Sequence, residues 1–127
     1  MSTRPRPLSP HLQVYRLQMT SVLSILHRGT GLLLVLGTVM IAFWVIALAL
    51  GHSIFAIYQA WLGSLLGKVL LVGWSFSLFY HWANGIRHLL WDVGWGYDIE
   101  RVYMTGWIVI SISVILAGLL WLSVVFI

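Results

Sequence analysis

The chain has 127 residues, 61% of them hydrophobic and only 8% charged, where a soluble domain carries about a quarter charged residues. That balance excludes a soluble enzyme and places the chain in a bilayer as one unit. The absence of cysteine rules out disulfides, iron–sulfur ligation by this chain and covalent haem attachment through Cys-x-x-Cys-His. The net charge of +4 is spread over basic residues that form no cluster with interleaved aromatics, so no nucleic-acid partner is expected.

Residues 1–19 hold Arg4, Arg6, Arg16 and all three prolines, Pro5, Pro7 and Pro10. They read as an extended arm outside the bilayer. The arm is too long and proline-rich for a signal-peptide n-region, and the apolar stretch after it is too long for an h-region. A first helix is expected over residues 20–50, with Thr20 as its N-cap. At about 1.5 Å per residue it is about 46 Å long, more than the roughly 30 Å hydrocarbon core, so its first turns stand at or above the interface. Those turns carry Ser24, Arg28 and Gly31 on one face, with His27 at its edge.

Residues 51–61 read as a short loop without Lys or Arg. A second span is expected over 62–92, uncharged from Val69 to Ile86, with Gly63 and Gly67 as a small-xxx-small pair for helix packing. Gly94 and Gly96 break the helix, Tyr97 to Arg101 form a charged loop, and a third span covers 102–126. The expected fold is therefore all-α: an integral membrane bundle of three transmembrane helices.

Arg4, Arg6, Arg16 and Arg28 precede or open the first span, and Arg87 and Arg101 flank the second loop. The positive-inside rule then puts the N-terminus in the cytoplasm and the C-terminus on the other side. Lys68 dissents, at a depth from which it can snorkel to the outer interface. This topology brings Ser24, His27, Arg28, His81, Arg87, His88 and Asp92 to one depth. His11 and His52 lie outside the spans and are assigned no role.

The end of the second span is unusually polar. Ser77, His81, Gly85 (with Asn84 beside it), His88 and Asp92 recur every three or four residues along one helix face. Such a stripe is costly in hydrocarbon and faces another helix, a cavity or a cofactor. Neutral imidazole on an apolar helix is a common haem-iron ligand, and Gly85 removes bulk where a flat ring would lie. His81 and His88 cannot share an iron: they stand about 10.5 Å apart along the axis, and axial imidazole nitrogens need about 4 Å. A second ligand must come from another helix or another chain. A histidine hydrogen-bonded within the bundle is the other reading, and both stay open on the residues alone. Arg28 and Arg87 suit either haem propionates and the carbonyl of a headgroup or lipid phosphate and topology signalling. Asp92 is placed to fix the His88 tautomer, or is an ordinary interfacial charge.

Two stretches together resemble a known family. Arg6-Pro7-Leu8-Ser9-Pro10-His11-Leu12, followed by Ser24-Ile25-Leu26-His27-Arg28-Gly29-Thr30-Gly31, and His81-x-x-Asn84-Gly85-Ile86-Arg87-His88-Leu89-x-Trp91-Asp92, are similar to the cytochrome b membrane-anchor subunits of succinate dehydrogenase (complex II), in their alphaproteobacterial and mitochondrial branch. The resemblance covers nearly the whole chain. It implies a multi-pass protein of the bacterial inner membrane with haem b as cofactor and ubiquinone as substrate. It implies His81 as an axial haem ligand, His27, Arg28 and His88 near the propionates, and Ser24 and Arg28 at the quinone. Its implied partners are a second membrane anchor supplying the other haem ligand, an iron–sulfur subunit and a flavoprotein. No catalytic residue is expected in this chain. A haem-free structural anchor and a b-type subunit of another respiratory dehydrogenase are the competing expectations.

Overall fold

A computed structural model describes residues 16–126. Four helices form in order: α1 (Met19–Leu50), α2 (His52–Gly63), α3 (Leu65–Asp92) and α4 (Ile99–Phe126). There is no strand among the described residues. Most of the expected N-terminal arm, His11 included, lies outside them; Arg16, Leu17 and Gln18 are exposed and non-helical.

α1 and α4 are each long and apolar enough to cross a membrane, and α2 with α3 passes the same test only when the two are taken together as a bent pair. α1 begins one residue before the expected cap: Gln18 stands at the N-cap and Thr20 lies inside the helix. α4 likewise starts earlier than expected, so Glu100 and Arg101 sit in its first turn rather than in a loop. Arg101 pairs with Asp98 at 3.4 Å on the surface.

The stretch expected to be a loop is α2. Its Tyr58 hydroxyl donates to the Met40 carbonyl at 2.8 Å, and Phe55 packs edge-on against Trp44, fixing α2 to the far end of α1. α2 then meets α3 at 75°. Ser64 makes that corner: its hydroxyl donates to the Trp61 carbonyl at 2.6 Å and accepts from the Gly67 N–H at 3.2 Å. Gly67 lies so close to the Trp61 and Leu62 carbonyls that a Cβ would stand 2.5 Å from each. Gly67 therefore serves a corner, while a Cβ at Gly63 would meet nothing within 4 Å, so the pair makes no helix packing among the described residues.

α3 is the central helix, packed on both α1 and α4. Between apolar helices in lipid the association comes from close backbone approach and interhelical hydrogen bonds. Both are present. A Cβ at Gly37 would overlap the Trp74 indole, so only glycine lets α3 come this close. The buried Tyr80 hydroxyl donates to the Leu23 carbonyl at 2.9 Å, within a cluster of Leu23, Tyr80, Ala83 and Val109. Trp121 Nε1 donates to Ser75 Oγ at 2.9 Å across α3 and α4. Buried Ser77 and Ser113 are satisfied by carbonyls one turn back in their own helices. α3 ends as expected at the glycines: Gly94 and Gly96 take φ of 83° and 88°, which side chains disfavour.

Candidate functional site

α1 and α3 run antiparallel in a register that can be read from two contacts. Thr30 meets His81, and seven residues further along α1 Gly37 meets Trp74, seven residues back along α3. This register carries the first turns of α1 past the polar end of α3, as the shared depth of the two stretches predicted.

His27, His81 and His88 come together there. The His27 and His81 rings stack face to face, with centroids 3.9 Å apart and planes 9° apart. His88 lies on the other side, 5.1 Å from the His27 ring and edge-on to Trp91. Because His27 lies in van der Waals contact on the face of His81, no metal fits between these two rings.

The tautomer of His81 follows from its neighbours. Its Nδ1 stands 3.1 Å from the His27 carbonyl oxygen, which only accepts, so Nδ1 carries the proton and donates. Thr30 Oγ1, 3.3 Å from the same nitrogen, already donates back to the Leu26 and His27 carbonyls and can only accept here. The lone pair of His81 is thereby confined to Nε2, the arrangement that orients metal-bound histidines. Thr30 was not singled out by sequence; its position three residues after His27, on the same face, was the available signal. Gly31 gives the imidazole its room, since a Cβ there would stand 3.2 Å from His81 Cε1. At Gly85, one turn beyond His81, a Cβ would meet nothing within 4 Å, so the space beside the imidazole is open for a flat group. These residues fit a haem held through one ring nitrogen from this chain. Among the described residues no group of three or more His, Cys, Asp or Glu could hold a metal ion by itself.

Ser24 and Arg28 occupy the α1 face next to His27, half-buried and exposed respectively. Neither side chain makes a hydrogen bond among the described residues. Both polar groups are thus available to something outside the chain.

Two expected members do not join. Arg87 is buried, donating from Nε to Thr105 Oγ1 and from Nη2 to the Val102 carbonyl, both at 2.9 Å, with its guanidinium 4.0 Å above the Trp91 ring. It faces α4, neither the histidines nor lipid phosphate, because it lies about 100° around the helix from His88. Asp92 is exposed and makes no bond to His88 among the described residues. Ser77 and Asn84 are fully buried on the stripe; Ser77 donates to the Gly73 carbonyl, and the Asn84 carboxamide has no partner among the described residues.

Residues 2–120 match the family model described as succinate dehydrogenase/fumarate reductase transmembrane subunit. The chain is 44% identical over 116 residues to a succinate dehydrogenase cytochrome b556 subunit of Rickettsia felis, covering 91% of this chain and 90% of that one. It is 43% identical over 114 residues to the protein of the same name from Paracoccus denitrificans, covering 90% and 88%. It is also 41% identical over 118 residues to the mitochondrial succinate dehydrogenase cytochrome b560 subunit of Mus musculus, covering 89% and 68%.

Proposed function

The chain belongs to the succinate dehydrogenase/fumarate reductase transmembrane subunit family, and from that premise we propose that it is the cytochrome b anchor of a succinate:ubiquinone oxidoreductase, contributing one axial ligand to haem b and part of the ubiquinone site. The observation that carries this reading is the His81 imidazole, its Nδ1–H committed to the His27 carbonyl and its Nε2 lone pair left for a metal.

His81 would hold the haem iron through Nε2, with the second axial ligand coming from a partner anchor. His27 and His88 lie beside it and would sit near the haem propionates, to which Arg28 would offer a cation. Haem supplies a one-electron carrier at this depth of the membrane. Ser24 and Arg28, four residues apart on one face of α1, would receive the quinone carbonyls. The hydroxyl donates a hydrogen bond, and the guanidinium stabilises the negative charge that builds on the oxygens as electrons arrive. The chain itself makes and breaks no covalent bond: it holds the acceptor where electrons and protons from other subunits can reach it. An iron–sulfur subunit and a flavoprotein on the cytoplasmic face, in the bacterial inner membrane, complete the assembly.

The test is the reduced-minus-oxidised absorption spectrum of the purified complex. His81→Ala is expected to lose or alter the b-type bands, while His52→Ala, on the exposed end of α2, leaves them intact. An unaltered spectrum in His81→Ala moves the ligand elsewhere. A parent complex that assembles without haem supports a purely structural anchor.

A further inference from the structure

Apart from Trp74 Nε1, seven residues back along α3 from His81, the buried side-chain atoms without a hydrogen-bond partner among the described residues are His27 Nδ1 and both polar atoms of the Asn84 carboxamide. The register brings them together. Thr30 is level with His81. Three residues back along α1 is His27, and three residues on along the antiparallel α3 is Asn84. The rings agree, since His27 is in contact with both His81 and His88, and Asn84 lies between those two on α3.

We propose that this seam binds one water molecule, held between His27 Nδ1 and the Asn84 carboxamide, which fixes the rotation of the His27 ring. Asn84 is 0% exposed, so a side chain of a partner subunit cannot reach it, and what satisfies the pair must be small enough to sit within the seam. Buried waters typically take two to four polar partners, and three atoms are available here. A water donates and accepts, so it suits His27 and both ends of the carboxamide, whereas a direct His27–Asn84 bond leaves one carboxamide atom unpaired. The same water supplies a reason for the geometry of the histidines. The His27 ring is otherwise held by its stack on His81 and its tilted contact with His88, neither of which supplies a directional hydrogen bond.

The site does not depend on haem ligation by His81: if the spectrum of His81→Ala were unaltered, His27 and Asn84 would still lie level with each other on α1 and α3. The experiment is electron cryomicroscopy of the whole complex at a resolution that shows ordered water. The expected result is one density peak within about 2.7–3.2 Å of both His27 Nδ1 and an Asn84 carboxamide atom. In a complex carrying Asn84→Leu, of similar shape but without polar atoms, the peak is lost and the His27 ring turns out of its parallel stack on His81. A direct His27–Asn84 bond with no peak between them overturns the proposal, as does an empty seam. A peak or a stack unchanged in Asn84→Leu also overturns it. If that variant does not assemble, the map of the unaltered complex decides alone.

Discussion

His27 serves His81 twice: its carbonyl receives the Nδ1–H and its ring covers one face of the imidazole. Ser24 and Arg28, on the neighbouring face of α1, are free to act on a separate ligand, and their substitution should separate the two halves of the reaction. Ser24→Ala and Arg28→Ala are each expected to lower ubiquinone reduction by about tenfold or more, short of the roughly hundredfold or greater loss on removing a donor from an enclosed oxyanion site. Succinate oxidation measured with a soluble artificial acceptor should stay at its normal rate. Equal quinone reductase rates in both variants would remove these residues from the quinone site. At this scale the histidines were legible because three imidazoles in apolar surroundings are rare and their depths were fixed by the spans. Arg87 was misread because depth says nothing of rotation: a residue at the right height can face a third helix. Thr30 was missed because a lone threonine in a helix is more often satisfied by its own backbone, as its bonds to the Leu26 and His27 carbonyls also show.

The helices themselves were placed to within a few residues, except α2. Its twelve residues, His52–Gly63, are bounded by glycines and too short to span, and both features read as a loop. The structure sorts them into three faces. Phe55, Tyr58 and Leu62 turn to the bundle, Ile54, Ile57 and Trp61 are exposed and apolar, and His52, Ser53 and Gln59 are exposed and polar. A helix so divided suits the plane of the membrane interface. At the opposite end, Arg87 is the main polar tie between α3 and α4. Arg87→Ala removes two hydrogen bonds and a cation–π contact, each worth on the order of 1 kcal/mol. The complex in detergent should therefore denature several degrees lower, while quinone reduction per assembled complex stays near normal. A large loss of activity in complexes of normal thermal stability would return Arg87 to the site.

Across the whole molecule, charge and architecture point the same way. Arg16, Arg28, Arg87 and Arg101 lie at the end of the bundle where α1 begins, α3 finishes and α4 starts. Among the described residues, the opposite end, capped by α2, carries only one cation, Lys68, just past the corner. By the positive-inside rule, an asymmetry of this kind is expected to keep the arginine-rich end in the cytoplasm. The three histidines and the open Ser24–Arg28 face lie toward that end, where electrons from cytoplasmic subunits would arrive. Because the chain has no cysteine, single introduced thiols report orientation without background. Ser53→Cys on α2 should react with a membrane-impermeant maleimide in cells whose outer membrane alone has been opened. Asp98→Cys, between α3 and α4, should react only after the inner membrane is breached. The reverse pattern would turn the bundle over and place the histidine cluster on the side away from the cytoplasm, where no cytoplasmic iron–sulfur partner could feed it.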